Sequence, residues 1–226
     1  MKKWGMPAAI LLLFAILLSG CEQPEEPKKV IRESTLVIDS SGGVDAYLVE
    51  EFDKNYYSLA ELTSMAQMQI SEFAGSATET NPIQLVSVDT VQDDSSRVII
   101  TYRFDQTGSY ERFTGDKLFY GTVAEAIQQG YDSGVSLKSV KDGSTLTTEE
   151  LLQKLEQHLV IYYPVQVNPE QVKLNPEAEE HRQIFIDCPD TVEYVSQGAV
   201  VNQDGSVTIS WVLETDYEPV YILLRK

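Results

Sequence analysis

The pattern of the chain predicts an α+β fold: an antiparallel sheet with a packed helix, in the order β-β-α-β-β-β-α, followed by a strand-rich C-terminal part. Three observations predict it. Short apolar runs that alternate with period two, bounded by Gly, Asn and Asp, recur along the chain. One long stretch carries apolar residues at helical spacing behind a capping box. Strands and helices do not alternate regularly, which argues against a parallel βαβ architecture. Of the 226 residues, 42% are hydrophobic, enough to bury a core.

The elements follow in order. Residues 35–39 read as a strand, Ser40-Ser41-Gly42-Gly43 as a turn and residues 44–52 as the partner strand. Ser58 and Glu61 form the capping box of the long helix, with Tyr57 and Leu62 as its hydrophobic staple. Leu59, Leu62, Met65, Ala66, Ile70 and Phe73 share its apolar face, and Gly75 ends it. Residues 83–91 and 97–104 form a second strand pair, joined by residues 92–96. Val98, Ile100, Tyr102 and Phe104 alternate onto one face, so one side packs and the other is wet. Leu118-Phe119-Tyr120 is a short strand, and Thr122 with Glu125 caps a helix that stops at Gly130.

Residues 33–132 are therefore expected to form an α+β domain, and residues 133–144, rich in Gly, Ser and Lys, a connector. Residues 145–226 are expected to form a strand-rich C-terminal domain. Thr147 and Glu150 make another capping box, for a helix to about Gln157 with His158 at its end. Strands are predicted over 159–167, 183–187, 191–196, 207–214 and 220–224, with a hairpin turn at Asn202-Gln203-Asp204-Gly205. Val207, Ile209, Trp211 and Leu213 alternate onto one face, which makes Trp211 a core residue rather than a ligand platform.

Little in the sequence carries chemistry. No glycine-rich phosphate loop, zinc-binding His-Glu-x-x-His helix or Gly-x-Ser-x-Gly elbow is present. The two histidines, His158 and His181, do not sit in a cluster of metal ligands. Cys188 closes the strand-like run Ile184-Phe185-Ile186-Asp187, where an inert packed thiol is expected instead of a nucleophile paired with a histidine. Asp93-Asp94 and Asn202-Gln203-Asp204-Gly205 read as turns, since neither has calcium-loop spacing. Tyr56-Tyr57 and Tyr162-Tyr163 each place one ring inward, because neighbours in a strand face opposite sides. The expectation is a protein that is not an enzyme, with no catalytic residue, cofactor or metal. The formal charge of −18 argues against nucleic acid as a partner.

The N-terminal segment bears on location. Lys2 and Lys3 precede an apolar run over residues 8–18, and Leu18-Ser19-Gly20-Cys21 follows. The run is shorter than the roughly 20 residues needed to span a bilayer. Residues 1–20 resemble a lipoprotein signal peptide, and the four residues ending in Cys21 resemble a lipobox. That resemblance implies acylation of the Cys21 thiol, cleavage before it, and a protein held by lipid on the outer face of the cell membrane. Losing Lys2 and Lys3 takes the charge from −18 to −20. Membrane attachment then depends on the acyl chains and not on a basic patch. Residues 21–32, with Pro24 and Pro27, form a stiff tether. With Cys21 acylated, Cys188 has no thiol to pair with in the same chain.

The stretches Val49-Glu50-Glu51-Phe52-Asp53-Lys54-Asn55-Tyr56-Tyr57, Leu118-Phe119-Tyr120-Gly121-Thr122-Val123 and Glu193-Tyr194-Val195-Ser196-Gln197-Gly198 resemble a set of uncharacterised lipoproteins of anaerobic Gram-positive bacteria. The resemblance implies a cell-envelope location and carries no activity. Three functions fit: a binding or interaction module with an envelope protein or wall partner, a small-molecule or peptide-binding lipoprotein serving a transporter, and an envelope hydrolase. The first is the expectation, because a sound fold comes without a catalytic constellation. Changing Cys21→Ser is expected to abolish incorporation of radiolabelled fatty acid into the protein. Equal labelling of variant and wild type would contradict the anchor.

Overall fold

Two runs, Leu159-Val160-Ile161-Tyr162 and Val220-Tyr221-Ile222-Leu223-Leu224, are apolar at every position instead of every second one. That pattern suits strands covered on both faces, and the computed structural model places them so. It describes residues 30–53, 58–75, 82–164, 181–212 and 218–225. The strands are β1 (Thr35–Ile38), β2 (Val44–Glu51), β3 (Ile83–Val91), β4 (Asp94–Phe104), β5 (Lys117–Thr122), β6 (Leu137–Ser139) and β7 (Thr145–Leu146). They continue as β8 (His158–Tyr163), β9 (His181–Asp187), β10 (Val192–Val195), β11 (Ala199–Val201), β12 (Val207–Val212) and β13 (Val220–Leu224). The helices are α1 (Leu59–Gly75), α2 (Thr107–Thr114), α3 (Val123–Gln128) and α4 (Thr148–Leu151).

One sheet has the order β11-β12-β9-β1-β2-β4-β3, the other β5-β8-β13-β10-β6-β7. The only parallel pair among the described strands is β1 with β9, where Thr35 stands beside Phe185 and Val37 beside Asp187. The α+β class is as the sequence predicts. Leu36, Ile38, Ala46 and Ile186 of the first sheet share a core with Val160, Tyr162, Ile222 and Leu224 of the second. Ala66 and Ile70 of α1 extend that core. On the other face of the second sheet, Leu159, Ile161, Tyr221 and Leu223 pack with Val123 and Ala126 of α3 and Leu151 of α4. β8 and β13 are thus enclosed between two cores.

The division at residues 133–144 is corrected by this topology. Residues Ile31–Lys226 form one compact unit, separate from Met1–Val30, of which only Val30 is described. Strands from both halves of the chain enter both sheets. The expected connector contains β6, which pairs with β10 through Ser139 and Tyr194. Local patterns show where strands lie but not which strand they pair with, and the β1–β9 pairing spans most of the chain. The lipobox, Cys21 and the tether up to residue 29 lie outside the described residues, as does Tyr57 of the expected staple.

Other differences are local. α2 was not expected, because Thr107-Gly108-Ser109 are poor helix formers. Packing holds it: Phe113 lies 5.3 Å from the Tyr102 ring and 5.7 Å from that of Phe73, and Tyr110 lies 5.4 Å from Phe104. Gly115, at φ +86°, closes it by donating to the Glu111 carbonyl at 2.9 Å. Met65 is exposed rather than core, since the buried stripe of α1 runs through Ala66 and Ile70. The turn after β3 is tighter than expected. Val91 already pairs with Asp94, and Asp93 takes the left-handed φ of +66°. α4 is a single turn, so His158 opens a strand instead of ending a helix. Both Thr–Glu capping boxes form, at Thr122–Glu125 and Thr147–Glu150.

Leu223 is fully buried in the second core. Leu223→Ala is expected to cost about 2–5 kcal/mol. Because the unit is continuous, denaturation followed by Trp211 fluorescence and by far-ultraviolet circular dichroism should give coincident transitions. Two separated transitions would restore the division at 133–144.

Candidate functional site

Most polar groups singled out in the sequence are committed to structure. Asp94 Oδ1 accepts from the Ser96 backbone at 3.1 Å and its hydroxyl at 2.5 Å. Asn202 Nδ2 donates to Ser206 Oγ and Thr208 Oγ1, both at 2.9 Å, and Asp204 Oδ1 accepts from Ser206. These are turns stapled by their own side chains. No group of three or more His, Cys, Asp or Glu residues suited to a metal ion occurs among the described residues. Tyr56 and Tyr57 lie outside the described residues, as does the side chain of His181.

Tyr162 is buried and donates to Asp116 Oδ2 at 2.8 Å. Tyr110, also buried, donates to the same oxygen at 3.2 Å. Burial raises both tyrosines well above the ordinary phenol range, helped at Tyr110 by the Asp116 charge and at Tyr162 by the Tyr110 phenol and then Asp116, so both remain donors. One carboxylate ties α2, the start of β5 and β8 together. Trp211 is half-buried, packs against the core and lies 6.1 Å from the Tyr162 ring.

His158 and Cys188 each lie near Tyr120, at one end of the space between the sheets. The His158 ring stacks on Tyr120 with centroids 5.0 Å apart and 20° between planes. The Tyr120 hydroxyl is buried without a hydrogen-bond partner. Burial raises its pKa, and the charges of Asp190, Asp39 and Cys188 push the same way. The half-buried Cys188 thiol is pushed up to about 12, first by burial and then by Asp187 and Asp190. A nucleophilic cysteine needs the reverse: a nearby cation and a lowered pKa. The arrangement brings the thiol and the imidazole to one phenol but holds the thiol protonated.

The opposite end of the sheets presents an open groove. Its larger part is a cleft of about 440 Å³ between Asp132, Ser136, Gln197, Glu218 and Pro219, floored by Tyr221. A second cleft of about 390 Å³ lies between Pro164, Ser210, Trp211 and Glu218. Gln197 and Glu218 line both, so the two clefts adjoin as one trough. No Lys, Arg or His lines either cleft among the described residues.

The fold positions these residues tightly. The Ser196 N–H donates to the Tyr221 carbonyl at 2.9 Å, and Ser196 Oγ accepts from the Tyr221 N–H at 2.9 Å. The chain then turns at Gly198, φ +91°, where a side chain would press on Val220. That turn presents Gln197 outward. Asp132 Oδ1 accepts from the Gly134 N–H at 2.8 Å, which fixes its carboxylate. Ser196 thereby clamps the turn to the start of β13. Sequence reading missed Asp132, Gln197 and Glu218. The signal open to it was the Ser-Gln-Gly turn between two strands and the Glu-Pro pair before the last one.

No family model, no curated protein and no solved structure matches this chain.

In the Cys21→Ser protein Cys188 is the sole thiol, since the chain has two cysteines. Iodoacetamide at about pH 8 should alkylate it roughly a thousandfold more slowly in the folded than in the urea-unfolded protein, because the thiolate fraction falls with the raised pKa. Alkylation at equal rates would mean an exposed, activated thiol.

Proposed function

We propose that this chain is a membrane-anchored extracytoplasmic lipoprotein whose folded unit is a non-enzymatic binding or interaction module of the cell envelope. The signal-like segment ending at Cys21 supports the location, as does the resemblance to envelope lipoproteins. The observation that carries the binding role is the trough through Gln197 and Glu218: open, lined by mixed polar and apolar groups, and built on rigid strand ends. A hydrolase would need an activated group, and burial and the nearby carboxylates tune the Cys188 thiol away from attack. A transporter-serving role for small molecules favours an enclosed pocket between lobes, whereas this trough is shallow and lies on one compact unit.

The test compares two variants in a deletion strain. The triple variant His158→Ala, His181→Ala, Cys188→Ser is expected to complement like wild type. Gln197→Trp, which fills the trough at an exposed position, is expected to fail while keeping wild-type abundance and melting temperature. A stably folded triple variant that behaves like the deletion would sink the binding-module reading.

A further inference from the structure

We infer that the trough takes an extended, lysine- or arginine-bearing segment of another polypeptide. The inference rests on the binding-module reading and names the occupant. Shape comes first. Two clefts of about 440 and 390 Å³ lie side by side across Gln197 and Glu218, an arrangement that suits an extended chain better than a compact molecule.

Lining chemistry points the same way. Asp132 and Glu218 place carboxylates in the larger cleft, and Glu218 also borders the smaller one. Glu218 forms no ion pair among the described residues. The Gln197 amide, between the clefts, both donates and accepts, as a peptide backbone requires. Pro219 and Trp211 offer apolar surface on which the methylene stem of Lys or Arg can lie. Among the described residues no cation lines the trough, although Arg182 pairs with Trp211 beside it, and the chain as a whole carries −18. An anionic ligand would meet like charge at every scale. A neutral glycan could use the Gln and the aromatic ring but would leave the carboxylates without a counter-charge.

Position adds one more argument. Trp211 pairs with Arg182, three residues before Phe185, which stands beside Thr35 at the start of β1. Val220 pairs with Tyr162 at the matching end of the second sheet. The trough therefore opens at the end where the chain enters the fold. The ten residues from Cys21 to Ile31 reach at most about 35 Å. A lipid-anchored protein would keep this end within reach of polypeptide emerging from the membrane.

Trp211 supplies the readout, since the only other tryptophan, Trp4, lies in the signal-like segment. The mature protein in detergent is titrated with the peptide Ala-Lys-Ala-Lys-Ala-Lys-Ala-Lys, with its glutamate counterpart, and with an N-acetylglucosamine tetramer. The lysine peptide alone is expected to shift Trp211 emission saturably. Its affinity should fall about tenfold or more between about 50 and 500 mM salt. The double variant Asp132→Asn, Glu218→Gln should bind it at least about tenfold more weakly while melting like wild type. Equal binding of both peptides, or an unweakened double variant, would overturn the inference. Binding of the tetramer without the lysine peptide would also overturn it, yet leave the binding module standing. If nothing binds and Gln197→Trp complements the deletion, both readings fall.

Discussion

Enclosure of β13 on both faces is the constraint on which the molecule depends. All five of its residues are buried. Val220, Ile222 and Leu224 fill the space between the sheets, while Tyr221 and Leu223 fill the layer under α3 and α4. A strand in that place has no polar face, so it can exist only if both layers form. The short helices α3 and α4 are too brief to be stable alone. They persist because Val123, Ala126 and Leu151 cover β8 and β13, and their capping boxes satisfy the exposed ends. The trough inherits its rigidity from the same strand, because Ser196 is clamped to the Tyr221 backbone and Glu218-Pro219 leads directly into β13.

Polar groups inside the fold are few and matched. Tyr110 and Tyr162 share one Asp116 oxygen, so α2 is tied through a side chain to the paired strands β5 and β8. Removing either hydroxyl would take one donor from the half-buried Asp116 carboxylate. Among the described residues the Tyr120 hydroxyl and Gln157 Oε1 are buried without a hydrogen-bond partner, and Tyr120 sits at the far end from the trough near a thiol that burial keeps protonated. The two ends of the space between the sheets thus differ: one holds Tyr120 stacked on His158, the other opens onto the carboxylates of Asp132 and Glu218.

Much of the fold was legible in the sequence. Continuous apolar runs marked β8 and β13, alternation marked β4, and Thr–Glu spacing marked α3 and α4. Three things were not legible. α2 exists because Phe104, Tyr102 and Phe73 are near, and none of them lies within its own eight residues. The single unit depends on β1 meeting β9, a pairing that no local window contains. Gln197 and Glu218 are ordinary surface residues in sequence, and only the folded strands bring them together. Cys188 was read correctly as packed because its neighbours Ile184 and Ile186 already declared the strand.

The parallel register of β1 with β9 also sets a timetable. β1 enters the fold at Thr35, but its second neighbour begins at His181. The first sheet cannot close at its centre until some 150 further residues have arrived, and long-range pairing of this kind folds slowly. For a polypeptide threaded across a membrane with its N-terminus leading, the start would already be tethered while the middle strand still waited for its partner. β1 would spend that interval as the open edge of a four-strand sheet, β1-β2-β4-β3, which is when a protease or a folding helper has its chance.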